Sequence, residues 1–231
     1  MSGYKLYYFP ARGRGEACRL SFAAANIEFE DVRLEGEAWA KEKASGRPPF
    51  GQMPFMVTPE GKVLAQSATM MKYICKKGGL CPGDDYDEGV ADMICDGVTD
   101  LWNAIIKMYY EKDETKKEEL SKEFNGTTLP ARLEYFNALL KCPFFFGDKV
   151  RFKIVCRSPL VNNFRGRLFH FFQLTYADIM FFDFFNNFPG KGKLEVPEQL
   201  SKFPKLVEHY KQVCDVPGIK AWLEKRPETE H

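Results

Sequence analysis

Short runs of apolar residues, each bounded by turn residues, occupy the first 80 positions of the chain. Four of them have the length and composition of strands: Lys5–Phe9, Phe29–Leu34, Pro54–Val57 and Lys62–Leu64. Three segments place apolar residues at helical spacing: Arg14–Asn26, Ala38–Lys43 and Ser67–Lys76. The last two strands flank the turn Thr58–Gly61 and form a hairpin. The order βαβαββα predicts a mixed sheet with helices packed on it.

After Cys81-Pro82-Gly83 the pattern becomes helical, and no convincing hairpin follows. Helices are predicted over Glu88–Tyr110, over Lys116–Leu140 and after Thr175. The chain is therefore predicted to divide into a small α/β domain, residues 1–80, and an all-α domain, residues 81–231. The run Glu111–Glu119 alternates in sign, which favours a solvated helix end over a binding patch.

The segment Leu174–Ile179 has the signature of a helix start. Thr175 is placed to cap the helix, and Asp178 is placed to reach back to the cap. Leu174 and Ile179 stand where a hydrophobic staple closes around such a cap. We therefore predict a structural rather than a catalytic role for this segment.

Composition and charge exclude several classes of function. The 231 residues include 33 basic and 32 acidic ones, so the net charge is +1. A chain with this charge has no strong positive field to attract nucleic acid. A hydrophobic share of 45% is enough for a packed core. The charged N-terminus does not fit a secretory signal, and no stretch is apolar enough to span a membrane. A cytoplasmic protein is expected, with no membrane partner.

Cysteine and histidine usage argues against a metal centre. The seven cysteines form no CxxC pair, so zinc and thioredoxin-type redox motifs are unsupported. They are interpreted as free thiols in a reducing compartment. Only three histidines occur, His170, His209 and His231. So small a number argues against a Ser-His-Asp hydrolase and against a histidine metal site. We expect no metal.

Three motifs converge in one order: Tyr8 followed by Arg12-Gly13-Arg14, then Met53-Pro54, then Gln66-Ser67. The chain resembles the glutathione transferases, and the sigma class most closely. The matching segments span almost the whole chain: YKLYYFPARGRGE, EDVRL, PFGQMPFMV, LAQSATMMKYI, LPAR, LTYADI and KAWLEKRPET. This resemblance implies a thioredoxin-like N-terminal domain, an all-helical C-terminal domain, a homodimer and glutathione as the co-substrate.

The chemistry of such an enzyme assigns roles to Tyr8 and Arg14. The thiolate of glutathione is the nucleophile, and a free thiol with a pKa of about 8.5 is mostly protonated at neutral pH. A hydrogen-bond donor aimed at the sulfur lowers that pKa. By resemblance Tyr8 is this donor, and Arg14 adds positive potential. The alternative for Tyr8 is a core aromatic residue of the strand, as is expected for Tyr7.

The resemblance also places a set of residues around glutathione. Met53 would pair through its backbone with the cysteinyl part, beside a cis Pro54; a trans edge-strand proline is the alternative. Ser67 and Gln66 would hold the γ-glutamyl end at a helix start, where a plain N-cap is the alternative. The other residues in this set are Trp39, Lys43, Gly51 and Gln52, with Trp39 and Lys43 at the glycine end.

Three residues of the helical domain receive predictions that compete with ordinary roles. Asp96 and Asp100 lie four apart on one helix face, and by resemblance Asp100 reaches the glutathione amino group of the other subunit. A solvated acidic side chain is the alternative. Tyr109 and Tyr110 are expected to line the acceptor pocket, although either fits a core position.

One segment departs from the family pattern. Between Gly147-Asp148-Lys149 and Leu174 stand 24 additional residues, Val150–Gln173, with five basic side chains, five Phe and no acid. A basic aromatic loop fits a membrane or RNA contact, but we favour a translated intron. Val150 fits a codon beginning GT, and Phe171–Gln173 fit TTT-TTT-CAG. The transcript sequence tests this, since codons without GT and AG at these ends contradict it. The insertion is expected as a disordered bulge that threatens the Leu174 staple.

The favoured function is conjugation of glutathione to hydrophobic electrophiles, in detoxification. Glutathione-dependent prostaglandin isomerisation is a related interpretation. The acceptor pocket determines which of the two reactions takes place. Three others stay open: a non-catalytic binder of haem or other hydrophobic ligands, a lens-type structural relative, and a product inactivated by the insertion. The presence of Tyr8, Gln66 and Ser67 argues against a purely structural protein.

Overall fold

The computed structural model describes residues 3–147, 174–188 and 195–229. Its sheet has four strands: β1 (Tyr4–Tyr8), β2 (Phe29–Arg33), β3 (Phe55–Val57) and β4 (Val63–Ala65). They lie in the order β2-β1-β3-β4, with β2 parallel to β1 and the other pairs antiparallel. The helices of this half are α1 (Glu16–Ala24), α2 (Gly36–Ala44) and α3 (Ser67–Lys77). The mixed sheet of a thioredoxin-like unit is thus confirmed.

Alternation along β1 decides which side chains meet the helices. Leu6 pairs with Met56 of β3, and both are fully buried within the main hydrophobic core. Tyr7 pairs with Phe55 on the opposite face, where their rings stack with centroids 4.5 Å apart. Because side chains alternate between faces, Tyr8 lies on the same face as Leu6. Tyr7 therefore takes the core role that was expected of it.

The rest of the described chain is helical. Its helices are α4 (Asp85–Tyr110), α5 (Glu114–Glu123), α6 (Leu129–Leu139), α7 (Tyr176–Asn187), α8 (Pro204–Cys214) and α9 (Pro217–Lys225). The central helix, α7, is buried over its whole length, and α1 packs against both α7 and α9. The hydrophobic core is therefore continuous between the two halves. The domain boundary at residues 80 and 81 stays a prediction.

The segment Lys116–Leu140, predicted as one helix, is two helices joined by a π-helical turn at Phe124–Thr128. The turn ends just before Pro130, which stands in the first turn of α6. Proline has no N–H and its ring clashes with the preceding turn, so a single regular helix cannot pass through this position. Pro130 was the available signal, and the single-helix prediction was wrong.

The start of α7 forms the predicted capping box around Asp178. The Asp178 carboxylate accepts hydrogen bonds from the backbone N–H of Thr175 and from its hydroxyl, both at 2.7 Å. Its other oxygen accepts the N–H of Phe145 at 2.8 Å and lies 3.0 Å from Nε2 of His209. Leu174 and Ile179 are both buried. The prediction that the insertion displaces Leu174 from its staple is therefore wrong. Val150–Gln173 itself lies outside the described residues.

No disulfide joins the described cysteines, which are Cys18, Cys75, Cys81, Cys95, Cys142 and Cys214. Burial raises the pKa of Cys18, Cys75 and Cys95, which is typical of inert structural thiols. Within residues 3–147, 174–188 and 195–229, no group of acidic, cysteine and histidine side chains is arranged to hold a metal ion. Over the same ranges, every helix is too short or too polar to cross a bilayer.

Candidate active site

Tyr8 ends β1, and the turn that follows is built closely around its ring. Gly13–Gly15 forms a 3₁₀ turn that leads into α1. A Cβ atom on Gly13 would lie 2.7 Å from the Tyr8 hydroxyl oxygen, and one on Gly15 would lie 2.6 Å from Cδ1 of the ring. Both distances are too short for any side chain, so the glycines of the Arg12–Gly15 motif are required for Tyr8 to occupy this position.

The orientation and protonation of the Tyr8 hydroxyl group allow it to donate a hydrogen bond. Its oxygen accepts the backbone N–H of Arg14 at 3.1 Å. Burial raises the pKa of Tyr8, and this effect outweighs the lowering by the Arg14 hydrogen bond and by the charges of Arg19 and Arg14. The phenol is therefore protonated at neutral pH, and its hydrogen is directed away from the N–H that its oxygen accepts.

Two side chains from the helical half hold the β1–α1 turn. The Arg14 guanidinium donates to Oδ1 of Asn103 in α4 at 2.9 Å. The amide of Asn187, the last residue of α7, donates to the carbonyl of Gly13 at 3.0 Å. Neither asparagine was among the sequence-predicted residues, because their distance in sequence from the turn gives no signal of contact. They connect the position of Tyr8 to the packing of α4 and α7.

The Met53–Pro54 peptide bond is cis, as the resemblance implied and in contrast to the trans alternative. Pro54 is buried directly before β3, and Met53 is half-buried. In the sheet β3 lies next to β1, so this step stands in the layer that carries Tyr8.

Gln66 and Ser67 form the entrance to α3. Gln66 has φ of 69° and ψ of 114°, a left-handed φ that costs a non-glycine residue about 1–3 kcal/mol. Its side chain makes no capping hydrogen bond, and Ser67 is the first helical residue. Gln66 therefore occupies the N-cap position without capping through its side chain, and the helix begins with N–H groups that this side chain does not satisfy.

A cavity of about 110 Å³ brings several predicted residues together. Arg14, Gln66 and Ser67, which the resemblance places around glutathione, line it. Sequence reasoning missed the rest of the lining: Ala17, Ala68, Thr99, Trp102, Met180 and Asp183. A signal was available for Asp183, the only acidic residue in the apolar run Ile179–Phe185.

The residues predicted for the glycine end of glutathione, Trp39 and Lys43, belong to α2. The Tyr8 ring meets Phe9 edge-on, with centroids 5.5 Å apart, and Phe9 meets Trp39 at 6.3 Å. Cε of Lys43 lies 3.5 Å from the position that a Cβ on Gly51 would take, so α2 and the loop before β3 approach each other here. Gln52 is exposed.

Asp100 is exposed on α4, and one of its oxygens lies 2.9 Å from the Arg132 guanidinium of α6. Its predicted contact with glutathione in another subunit stays a prediction. Tyr109 and Tyr110 are 64% and 73% exposed, so the core alternative is wrong for both. Tyr109 lines a groove of about 510 Å³ together with the apolar residues Ile105, Met108 and Phe188. The remaining lining residues are polar and belong to α5: Glu114, Lys117, Glu118 and Ser121.

A mixed four-stranded sheet with Tyr8 at the end of β1, followed by α4–α9, defines a protein with a thioredoxin-like half and an all-helical half. The N-terminal domain model of glutathione S-transferases matches residues 3–76, and the C-terminal domain model matches 99–152 and 160–226. The chain belongs to the glutathione S-transferase family. Its resemblance to sigma-type members is confirmed as well.

Individual relatives support the same assignment over the full length. A glutathione S-transferase of Anopheles gambiae is 30% identical over 233 residues, covering 100% of both chains. Hematopoietic prostaglandin D synthase of Gallus gallus is 31% identical over 229 residues, covering 99% of both. The crystal structure of the monomeric glutathione S-transferase Na-GST-3 of Necator americanus has a TM-score of 0.76 at 29% identity, covering 99% of this chain and 100% of that one. The chain is a glutathione transferase, and glutathione is its co-substrate.

Proposed function

We propose that Tyr8 activates the thiol of glutathione for attack on hydrophobic electrophiles. The observation that carries this proposal is the hydrogen bond from the Arg14 N–H to the Tyr8 hydroxyl oxygen, at 3.1 Å. It orients a protonated phenol whose own hydrogen is free to stabilise a thiolate. Thiolate sulfur then forms a bond to the electrophilic carbon, the leaving group departs with its electron pair, and the thiol proton passes to solvent.

Glutathione extends along the elements that surround Tyr8. We assign its γ-glutamyl end to Gln66, Ser67 and Arg14, which share one cavity. Its cysteinyl backbone is assigned to Met53 beside Pro54, Gly51 and Gln52. Its glycine end is assigned to Trp39 and to the positive charge of Lys43. This order is supported by the sequence of elements around β1: the α3 start, the loop before β3, and α2.

The groove formed by Ile105, Met108, Tyr109 and Phe188 is assigned to the electrophile. Its size of about 510 Å³ lies in the range of small-molecule sites, and its apolar side, Ile105, Met108 and Phe188, favours hydrophobic substrates. Phe188 follows Asn187, whose amide contacts Gly13 in the turn that holds Tyr8. The groove therefore begins near the thiolate position.

A homodimer and a cytoplasmic location belong to the same proposal. The dimer is supported by the family and by the exposure of Asp100, whose predicted role needs a second subunit. Na-GST-3, by contrast, is monomeric in its crystal structure. Sedimentation velocity with and without glutathione decides the state of this chain: a single subunit mass under both conditions contradicts the dimer.

The decisive experiment compares wild type, Tyr8→Phe and Tyr7→Phe in conjugation of a chromogenic aryl halide. We expect wild type and Tyr7→Phe to turn over, and Tyr8→Phe to be strongly impaired. Glutathione binding is measured in parallel by calorimetry. Tight binding without turnover in wild type supports the non-catalytic binder, and a wild-type level in Tyr8→Phe contradicts the assignment of Tyr8.

Prostaglandin isomerisation is the second candidate, favoured by the 31% identity to the prostaglandin D synthase of Gallus gallus. The same thiolate would attack one endoperoxide oxygen, so that the O–O bond breaks and the other oxygen takes a proton. Loss of the proton from the carbon that bears the attacked oxygen then forms a carbonyl group, breaks the S–O bond and returns the thiolate. Incubation with an endoperoxide prostaglandin and glutathione, followed by product analysis, separates the two. Spontaneous product ratios in the presence of an enzyme that conjugates aryl halides exclude this candidate.

A further inference from the structure

A single peptide unit connects Tyr8 to the end of α7. The N–H of Arg14, which donates to the Tyr8 hydroxyl oxygen at 3.1 Å, shares one peptide plane with the carbonyl group of Gly13. That carbonyl oxygen accepts the side-chain amide of Asn187 at 3.0 Å. The bond between Gly13 and Arg14 is trans, so its N–H and C=O groups point in opposite directions. Asn187 and Tyr8 therefore bind opposite edges of the same peptide plane.

The Gly13–Arg14 peptide depends on a contact of this kind because its own backbone restricts it little. Gly13 has φ of 37°, in a region that glycine enters more freely than other residues. Within the turn, the N–H of Glu16 is divided between the carbonyl oxygens of Gly13 and Arg12. The amide of Asn187 is a further donor, and it comes from outside the turn. It opposes rotation of the peptide about the bonds of Gly13.

The end of α7 is anchored independently of this contact. Asn187 is its last residue and is 7% exposed, and α7 packs against α1. The preceding residue, Asn186, donates to the Tyr210 hydroxyl at 2.8 Å and accepts from the Arg226 guanidinium at 2.9 Å. The two asparagines thus bind different parts of the protein: Asn186 binds α8 and the end of α9, and Asn187 binds the turn beside Tyr8.

We propose that Asn187 is a positioning residue for conjugation, which orients the Tyr8 hydroxyl through the Gly13–Arg14 peptide and so stabilises the glutathione thiolate. This inference rests on the proposed function, because it requires Tyr8 to donate to the sulfur. A hydrogen bond to the carbonyl oxygen polarises the peptide and strengthens donation by its N–H. With that N–H fixed, the hydroxyl hydrogen of Tyr8 keeps one direction, and no part of the binding energy is needed to orient it.

The test follows the pKa of the bound thiol through the pH dependence of kcat/KM with an aryl halide. Asn187→Leu removes the amide donor at similar size and excludes water from its place. Near neutral pH we expect kcat/KM to fall about 2- to 10-fold, as for the loss of one neutral hydrogen bond. The thiol pKa should rise by about 0.3–1 unit for the same reason. At high pH, where the thiolate forms without assistance, kcat/KM should return to the wild-type value.

Binding of S-methylglutathione, measured by calorimetry, separates positioning from damage to the site. This analogue has no ionisable thiol, so Asn187→Leu should bind it with wild-type affinity. Asn187→Ala is the second variant, since alanine is well tolerated in a helix and keeps the test decisive if leucine does not fit. It admits water to the Gly13 carbonyl and should raise the thiol pKa in the same direction by a smaller amount.

Asn186→Ala is the matched control, because it changes the adjacent residue, which is also buried, at 1% exposure. It should lower stability against urea, since it loses the bonds to Tyr210 and Arg226, and it should leave the thiol pKa unchanged. A double variant combines Tyr8→Phe with Asn187→Ala. Its thiol pKa should equal that of Tyr8→Phe alone, because Asn187 acts through the hydroxyl group that this variant lacks.

Each outcome separates this inference from the proposed function. A wild type without turnover, or a thiol pKa that Tyr8→Phe leaves unchanged, contradicts the proposed function itself. If Tyr8→Phe raises the pKa and neither Asn187 variant does, only the role of Asn187 is overturned. An equal rise in Asn186→Ala, a further rise in the double variant or weaker binding of S-methylglutathione shows general damage to the site and overturns it too.

Discussion

The hydroxyl oxygen of Tyr8 accepts a hydrogen bond from the backbone N–H of Arg14, six residues further along the chain, at 3.1 Å. This bond joins the end of β1 to the turn that opens α1. It occupies one lone pair of the phenol and leaves the hydroxyl hydrogen for a ligand. The hydroxyl group of the candidate thiol activator is therefore oriented by a backbone N–H group.

Tyr8→Phe should lower kcat/KM for aryl halide conjugation about 10- to 100-fold. A hydrogen bond to a charged group contributes about 1.5–3 kcal/mol, and each 1.4 kcal/mol is a factor of ten. The pKa of bound glutathione should rise by about 1–2 units for the same reason. The pH profile of kcat/KM measures both effects.

Tyr7→Phe is the matched control for this variant. Tyr7 also carries a hydroxyl group but lies on the opposite face of the sheet, stacked on Phe55. Its removal should leave the pH profile unchanged. An unshifted profile in Tyr8→Phe, or an equal shift in both variants, would contradict the assignment.

Gly15→Ala should reduce activity by displacing the Tyr8 ring while the fold persists. Gly15 has an ordinary helical backbone, with φ of −80°, so alanine adds no backbone strain. Its Cβ would lie 2.6 Å from Cδ1 of Tyr8, and this ring must move. Turnover of the aryl halide and near-ultraviolet circular dichroism measure the two effects.

Gly89→Ala serves as the control for Gly15→Ala. Gly89 lies within α4, and a Cβ there meets no atom within 4 Å. It should leave activity intact and stabilise the helix by about 0.5–1 kcal/mol. Full activity in Gly15→Ala would mean that Tyr8 tolerates a large displacement, against its proposed role.

The sheet and the capping box were predictable because they depend on local patterns. Strand alternation and the Thr175–Asp178 spacing each depend on a few neighbouring residues. The Asn103 and Asn187 contacts were not predictable, because they join residues 89 and 174 positions apart. Only the packing of α4 and α7 against the β1–α1 turn brings these side chains there.

The family resemblance and the hydrophobic pattern each missed part of the candidate active site. Gln66 and Ser67 were singled out from the sequence, but the pattern did not predict the left-handed φ of Gln66, which no local rule gives for glutamine. Asp183, which lines the same cavity as these two residues, was not predicted, because the helix pattern assigns every position of the apolar run Ile179–Phe185 to the core.

Glu16→Gln should destabilise the protein by about 3–5 kcal/mol at neutral pH, because it breaks a buried ion-pair cluster. The Glu16 carboxylate is 1% exposed; it accepts hydrogen bonds from Trp222 at 2.9 Å, from Arg226 at 2.7 Å and from Arg19 at 3.1 Å. Denaturant unfolding measures the loss. Glu118→Gln, which removes one exposed ion pair, should change stability by less than about 0.5 kcal/mol.

The same cluster predicts a pH dependence of stability. Burial raises the pKa of Glu16, but the charges of Arg19 and Arg226, with the hydrogen bonds, bring it below its ordinary value. A depressed folded-state pKa contributes stability above the unfolded pKa, about 4.3, and that contribution is lost as pH falls through the folded value. Wild type should therefore lose more stability below about pH 4 than Glu16→Gln does. Parallel pH curves for the two proteins would contradict this account.

Asp178→Asn should cost about 2–4 kcal/mol of stability, because an amide nitrogen cannot accept the hydrogen bonds that one carboxylate oxygen receives. Thr175 donates twice to Oδ2, and Phe145 and His209 meet Oδ1. Urea unfolding measures the change. Asp113→Asn at the exposed cap of α5 is the control, since asparagine caps equally well there and should change little. Equal effects of the two variants would contradict a special role for Asp178.

Deletion of Val150–Gln173 should give a protein that folds, binds glutathione and conjugates. Phe145 and Thr175 donate their backbone N–H groups to opposite oxygens of the same carboxylate, at 2.8 and 2.7 Å. The chain on the two sides of the segment therefore lies side by side, and the five residues left between them suffice to connect it. A shorter closed loop also costs less chain entropy, roughly 0.6 kcal/mol for each halving of its length. A variant with a Gly/Ser segment of the original length separates length from composition. Unchanged or raised stability with full turnover in the deletion supports an accidental origin, whereas loss of activity in both variants, with glutathione binding retained, would show that the basic aromatic segment itself takes part in the reaction.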